Sequence, residues 1–428
     1  MATAPISRRR FLRNSAFAAA PLIVPGRVLG RDGGVAPSNR IRFGVIGIGP
    51  RARDTLPVFL SFPETSWAAV SDCRADRLQH AKEMVDKHYG NTDCRAYPDF
   101  QEMLARPDID AVMIATGNRW HGLASIYAAR AGKDIYCEKP VTLSVREGRA
   151  LVDTCRRFGV VYQAGTQRRA TASYRFARDL VRQGRIGRLH TIEMQVWEGG
   201  AVEHQDPAPV PAGWDYDRWL GQAPWRPFTP GRANSWHYFW DTADGMLTDM
   251  GAHYTDQAQW VLGTDHTGPV HFEGTARFPD PAKFMSETPI TAEVRARYAG
   301  GVTAVMVQRG GFADRTLRYV GDEGWVRVDD HTDAVTASNP ALLDLRTRGG
   351  AGWSNPSDHI RDFLDCIRSR RPTACHAEAA HRAQSICQCM NISLRLGRPL
   401  DWDPANEQYS DPEANRMLSR EPRSPWRI

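Results

Sequence analysis

The sequence holds no hydrophobic run long enough to cross a membrane. Its most apolar early stretch, Ala16 to Val24, is interrupted by Pro21 and falls far short of the roughly 20 residues that a spanning helix needs. It also has no C-x-x-C pair. Cys73, Cys94, Cys137, Cys155, Cys366, Cys375, Cys387 and Cys389 are scattered, and Cys387-Gln388-Cys389 has neither a second pair nor a histidine cluster beside it, which argues against zinc. No internal repeat and no low-complexity tract is present. Excess charge is confined to one place: of a formal net charge of +6, Arg8, Arg9, Arg10, Arg13 and Arg27 supply five with no acid to oppose them, which leaves the rest of the chain near +1. A basic leader on a nearly neutral body argues against nucleic acid as a partner.

That leader has its own pattern. Ser7-Arg8-Arg9-Arg10-Phe11-Leu12-Arg13 reads as a twin-arginine export signal, with Ala16 to Val24 as its apolar region and Val28-Leu29-Gly30 offering small residues for cleavage. The route carries folded proteins, so a cofactor can be loaded inside the cell and exported already bound. The expectation is a periplasmic or extracytoplasmic protein that meets the membrane only through residues 1–30. Because it folds in a reducing compartment, most of its thiols should be free and buried.

The remaining chain, about 400 residues and 42% hydrophobic, is too long for one ordinary core and suggests two α/β domains. Past a Gly/Pro-containing linker at 31–38, apolar runs alternate with amphipathic stretches. Strands are predicted at Ile41 to Ile46, Trp67 to Ser71, Asp110 to Ala115, Asp134 to Cys137 and Val160 to Gln163. Helices are predicted at Arg51 to Leu60, Ala75 to His88, Trp120 to Ala131 and Val145 to Phe158. Such apolar strands with intervening helices imply a doubly wound parallel sheet over 39–164. Beyond Gly165 a helix from Ser173 to Gln183 is followed by longer alternating strands at His190 to Trp197, Ile290 to Tyr298 and Val302 to Gln308. This pattern predicts an α+β domain over 165–400 with a large, open, mainly antiparallel sheet, and a C-terminal extension at 401–428. An insertion from Pro207 to Trp240 holds nine aromatics, among them Trp214, Trp219 and Trp236, a density that suits either a substrate-lining wall or packing at the domain junction.

Three clusters carry chemistry. Gly47-Ile48-Gly49-Pro50-Arg51-Ala52 gives G-x-G-x-x-A between a strand and a helix, with Asp72 ending the second strand. The glycines allow a tight turn and close approach of a pyrophosphate to the helix N-terminus, and Asp72 can accept from ribose hydroxyls. This predicts a dinucleotide, NAD, with NADP kept open because Arg74 follows. Thr116 to His121 and Cys137-Glu138-Lys139-Pro140 lie at carboxyl ends of parallel strands, where such sheets bind ligands. A lysine there can stabilise a substrate alkoxide. Asp249 and His253 are spaced i, i+4, one face of a helix, so both can converge on one substrate hydroxyl. His253 is the natural general base, an imidazole that titrates near neutral pH.

Glu138-Lys139-Pro140, joined to G-x-G-x-x-A upstream and to Asp249-Met250-Gly251-Ala252-His253 downstream, resembles the Gfo/Idh/MocA oxidoreductases, the relatives of glucose-fructose oxidoreductase and inositol dehydrogenase. The resemblance runs from about Ile41 onward, and Gly165-Thr166-Gln167-Arg168-Arg169 and Asp411 to Trp426 resemble an exported branch. It implies a tightly held nicotinamide cofactor and hydride transfer to or from a sugar, glycoside or cyclitol carbon. It implies Lys139, Asp249 and His253 as catalytic and substrate-binding, Arg168 and Trp236 as further substrate contacts, and Thr116, His121, Glu138 and Lys139 itself beside the cofactor with Gly47 to Arg51 and Asp72. No metal is implied, and a homo-oligomer built on the open sheet face is. Two rivals remain: a NAD-dependent glycosidase or lyase using transient oxidation, and a non-catalytic sugar-binding protein. The chain departs from the branch at Thr116-Gly117-Asn118-Arg119-Trp120-His121, where Thr-Pro-Asp-His-Trp-His is common, and at Thr242-Ala243-Asp244-Gly245, where a glycine-rich run is common.

Overall fold

Short apolar runs joined by amphipathic helices assemble the first sheet. A computed structural model describes residues 35–347 and 356–428; the export signal expected in residues 1–30 lies outside the described residues. The first half runs β1 (Ile41–Ile46), α1 (Pro50–Leu60), β2 (Thr65–Ser71), α2 (Ala75–Tyr89), β3 (Arg95–Tyr97), α3 (Phe100–Leu104), β4 (Ala111–Ile114), α4 (Asn118–Arg130), β5 (Asp134–Cys137), α5 (Val145–Phe158) and β6 (Tyr162–Ala164). The six strands are parallel in the order β3-β2-β1-β4-β5-β6, a doubly wound Rossmann sheet whose halves part between β1 and β4. Helix boundaries follow local chemistry. At α5, the Ser144 hydroxyl accepts from the Glu147 N–H at 3.2 Å, and Gly159 closes the other end in the left-handed region with φ 64°. Each end is worth about 1 kcal/mol.

The second half runs α6 (Ala172–Arg182), β7 (Leu189–Val196), α7 (Tyr216–Leu220), α8 (Pro230–Asn234), α9 (Met246–Asp249), α10 (Gly251–Leu262), β8 (His271–Arg277), β9 (Thr291–Arg297), β10 (Thr303–Gln308), β11 (Thr316–Gly321), β12 (Gly324–Asp329), β13 (Val335–Ala337), α11 (Pro356–Ser369), α12 (Ala377–Leu396), β14 (Leu400–Asp403), β15 (Gln408–Tyr409) and α13 (Pro412–Arg416). Its nine strands form one sheet in the order β13-β12-β11-β7-β10-β9-β8-β14-β15, antiparallel except for the parallel pair β7 and β10. Alternate residues, such as Ile192, Met194 and Val196 of β7, are buried beneath α6, α10 and α12. Among the described residues the α-helices that pack on this sheet lie on that one face, in keeping with the open sheet the alternation predicts.

Four differences from the sequence reading have physical causes. A sixth parallel strand, β3, has only three residues and is largely exposed, so it carries no apolar run to betray it. Helix α11, inside the range read as the second domain, returns to the first. Its Ile360, Phe363, Leu364 and Cys366 share one apolar cluster with Phe43, Phe59 and Trp67. Residues 401–428 are not an appendage, because β14 extends the large sheet beside β8 and Trp426 packs on Trp120, centroids 4.8 Å apart. The insertion from 207 to 240 has regular structure of its own, with α7 and α8 closing a small core of Tyr216, Trp219, Leu220, Phe228 and Ala233. The eight cysteines are free thiols, seven buried and Cys73 half-buried. Among the described residues no helix is long and apolar enough to cross a membrane.

Helix α11 makes the fold pH-sensitive through His359. Its Nε2 faces the Ala164 carbonyl at 2.8 Å, and its own carbonyl accepts from the Gln163 amide at 2.5 Å. Burial pushes its pKa from the ordinary 6.5 to about 4, against that hydrogen bond. Above pH 6.5 the imidazole is neutral folded and unfolded, so its contribution is fully present. Between pH 6.5 and 4 the unfolded chain takes a proton that the folded chain refuses, and stability falls by up to about 3 kcal/mol. Urea unfolding at pH 7 and 4.5 should show that His359→Gln removes this part of the acid loss; an unchanged pH slope would refute the assignment.

Candidate active site

The G-x-G turn is shaped for close backbone approach. Gly47 has φ +85°, and a Cβ there would meet Thr116 Cγ2 at 2.6 Å and the Ala115 carbonyl at 2.9 Å. At Gly49 a Cβ would meet nothing nearer than 3.9 Å, so its exposed side is free for a ligand. Helix α1 begins there without a side-chain cap, which leaves first-turn N–H groups for a pyrophosphate. Asp72 braces the turn: its Oδ2 accepts from the Ile48 N–H at 2.7 Å and its Oδ1 from the Arg74 N–H at 2.9 Å. Burial raises its pKa despite those bonds. Each oxygen keeps a second lone pair for a ribose hydroxyl. These residues fit a dinucleotide.

Above the turn lies a cavity of about 430 Å³, within the usual range of small-molecule sites, lined by Gly47 to Arg51, Asp72, Thr116, Arg119, Trp219 and Trp236 among others. Arg74 is taken up by Asp76 and lies over the Trp214 ring at 4.6 Å. Arg77, in the same wall, is the cation left without an ion pair near Gly49 among the described residues, and burial lowers its pKa. It is the better placed of the two for a nucleotide phosphate. Sequence reading singled out Arg74, because adjacency in the chain says nothing about which acid an arginine will meet.

Beyond the cavity, Lys139 Nζ donates to the Asp249 carbonyl at 3.0 Å and stands 3.3 Å from Asp249 Oδ1. Burial opposes ionisation of Asp249, but Lys139, His237 and a hydrogen bond from Asn118 hold its pKa below the ordinary value. α9 ends at Asp249 and α10 begins at Gly251, and they meet at Met250, which keeps right-handed helical angles (φ −83°, ψ −37°) and whose carbonyl accepts from the His253 N–H at 3.1 Å. Gly245 and Gly251 are both hemmed in by side chains of other elements, Thr288 at the first and Met306 at the second. Asp249 is paired with Lys139.

His253 is 6% exposed, its Nδ1 has no partner, and burial followed by Arg168, Lys139, Arg51 and Arg315 drives its pKa well below 6.5. The reading of an imidazole that titrates near neutrality is corrected. His253 is neutral at physiological pH, the form able to accept a proton.

Other expected contacts resolve differently. His121 does not face the cavity: Nδ1 lies 2.7 Å from the Pro140 carbonyl and Nε2 3.2 Å from that of Thr116, and the residue is 2% exposed. It ties two loops together. Glu138 also turns inward, where Oε1 accepts from Arg51 Nε at 2.9 Å and Gln167 Nε2 at 3.0 Å. Both are corrected from cofactor contacts to supports, because a residue type at a strand end does not disclose which way its side chain turns. Arg168 gives Nε and Nη2 to Asp330 at 2.5 and 2.6 Å, so it reaches His253 as a charge already shared with a carboxylate. Trp236 lines the cavity with its ring stacked on His237, centroids 3.7 Å apart. His237 itself was not singled out by sequence reading. It lines the cavity, and its pKa is lowered by burial against the opposing pull of Asp249, which links the nucleotide end to the Lys139 pair. Among the described residues no group of three His, Cys, Asp or Glu side chains is placed to hold a metal ion.

Comparison with known proteins accords with this geometry. Residues 41–166 match the NAD-binding Rossmann fold of an oxidoreductase family, and residues 190–428 match the C-terminal alpha/beta domain of the same family. The chain is 37% identical over 344 residues to scyllo-inositol 2-dehydrogenase (NAD(+)) of Bacillus subtilis, covering 77% of this chain and 88% of that one. It is 24% identical over 370 residues to myo-inositol 2-dehydrogenase of Thermotoga maritima, covering 84% and 97%. Among solved structures, the WlbA dehydrogenase from Bordetella pertussis, in complex with NADH and UDP-GlcNAcA, shares the fold with a TM-score of 0.65 at 18% identity, covering 85% of this chain and 99% of that one.

Proposed function

Because the chain belongs to the Gfo/Idh/MocA oxidoreductase family, we propose that it is an exported NAD(P)-dependent enzyme that moves hydride between a retained nicotinamide and a hydroxyl-bearing carbon of a sugar, glycoside or cyclitol. The observation that carries this reading is the Lys139–Asp249 pair, 3.3 Å apart beside the nucleotide cavity. Neutral His253 takes the hydroxyl proton, the Lys139 ammonium stabilises the developing alkoxide, and Asp249 fixes the ammonium in place. The bound nicotinamide supplies the hydride acceptor. Export through the twin-arginine leader and assembly on the open sheet face belong to the same proposal.

Retention of the nucleotide is supported by the walls of the cavity, where Trp214, Trp219 and Trp236 of the insertion and Trp426 line the same space as the turn residues. Outside the cytoplasm there is little NAD(P) to exchange with, and a second half-reaction must return the hydride. The test is to purify the protein without added cofactor, denature it, and identify released nucleotide by absorbance and mass spectrometry. Near-stoichiometric NAD(H) or NADP(H) is expected. An empty protein that binds either one weakly would overturn internal recycling. Release of an aglycone without net redox change would replace net oxidation by the glycosidase or lyase reading.

A further inference from the structure

Of the places where the chain departs from the family pattern, Asp244 is neutralised within the fold, because its carboxylate accepts from Arg420 of the C-terminal segment. Arg119 is not. It is 2% exposed and makes one side-chain hydrogen bond, from Nε to the Trp219 carbonyl at 2.5 Å. Neither Nη atom finds a partner among the described residues, and Nη1 is fully enclosed. No carboxylate lies within ion-pair distance among the described residues, and the guanidinium rests on the Trp219 ring at 3.8 Å, with the Trp236 ring at 5.7 Å. Gly117 is part of the same arrangement: a Cβ there would stand 2.5 Å from Arg119 Nη1, so the guanidinium folds over a position that only glycine leaves open.

A buried, unpaired guanidinium is unfavourable, and burial pulls this one down to about 10. The residue lines the nucleotide cavity beside Trp236 and His237, the end coupled to Lys139 and Asp249. The cofactor phosphates have their own seat at the α1 N-terminus, where Arg77 leans over Gly49. The geometry points to Arg119 as the receptor for a carboxylate carried by the substrate, so that the sugar oxidised is a sugar acid. This rests on the oxidoreductase reading above. With Nε engaged and Nη1 enclosed, Nη2 is the guanidinium nitrogen left to donate to a carboxylate, a charge-assisted hydrogen bond, and Trp236, which lines the same cavity, offers an aromatic edge beside it.

The experiment compares the holoenzyme with Arg119→Met and Arg119→Lys, using D-glucuronate and D-galacturonate against D-glucose and D-galactose. Hydride transfer is read at the nicotinamide band, binding by quenching of tryptophan fluorescence, and folding by thermal melting. The acids are expected to exceed the neutral sugars in kcat/KM by about 100-fold. Arg119→Met should erase that ratio through KM and keep its nucleotide, and Arg119→Lys should restore part of it. Equal turnover of acids and neutral sugars would overturn the inference. So would an Arg119→Lys enzyme that loses nucleotide but keeps the acid preference, since the guanidinium would then serve a cofactor phosphate. Turnover of neither set, with myo-inositol oxidised at the nicotinamide band, would overturn the inference and leave the oxidoreductase reading standing; a nucleotide-loaded protein that reduces its cofactor with none of these would remove both.

Discussion

Replacing Lys139 by methionine is expected to lower kcat about a thousandfold and leave the nucleotide in place. Methionine keeps most of the stem volume and removes the only positive charge within ion-pair distance of Asp249 among the described residues. Two effects then act together. The alkoxide loses its fixed counter-charge, an effect of about 10²–10³ in other enzymes that lose one such donor. Asp249 loses the first of the interactions that offset its burial, so its pKa rises and a carboxyl proton intrudes where the ammonium stood. Because Lys139 is not among the residues lining the nucleotide cavity, bound nucleotide should change little, whereas the melting temperature should fall, since Asp249 is left buried without its counter-charge. Rapid-mixing measurement of nicotinamide reduction isolates the chemical step. A rate within about tenfold of the parent would show that the lysine does not face the developing charge.

The second large effect is expected at the glycine turn, where two neighbouring substitutions should fail for different reasons. Gly47→Ala puts a Cβ 2.6 Å from Thr116 Cγ2 and 2.8 Å from Thr116 Cα, at φ +85°. Backbone atoms cannot swing aside, so the protein itself should lose about 1–3 kcal/mol, several degrees in melting temperature. Gly49→Ala meets nothing nearer than 3.9 Å and should melt normally when empty. Both should weaken dinucleotide binding by at least about 100-fold, the second purely by blocking backbone approach to the pyrophosphate. Melting curves and titration calorimetry on nucleotide-stripped protein separate the two. Normal binding by Gly49→Ala would show that the cofactor does not cross this turn.

What was legible in the sequence was whatever period and motif express locally. Continuous apolar strands gave the parallel sheet, and strict alternation, as in Ile192, Met194 and Val196, gave the open one. The turn, the lysine and the Asp249/His253 pair announce themselves by spacing. Side-chain direction does not. His121 and Glu138 occupy the right strand ends and point into the protein, and Asp249 is paired with Lys139, a contact that its spacing from His253 does not disclose. Contacts across long stretches of chain were equally hidden. Helix α11 carries an ordinary amphipathic pattern that says nothing of which domain it joins, and His237 sits among so many aromatics that only its position in the cavity wall distinguishes it.

The cavity wall also bears on the order in which this protein is made. The turn at Gly47 and the wall at Trp426 belong to opposite ends of the described chain, and between them lie both sheets. A growing chain that has completed only its Rossmann half has the phosphate seat but neither the indoles of the insertion nor Trp426 to close it. Firm capture of the nucleotide is therefore among the last events of folding, after contacts of high sequence separation have formed. An occupied site is a certificate that both halves have closed on each other. Under the export proposed above, the bound dinucleotide would mark a finished molecule.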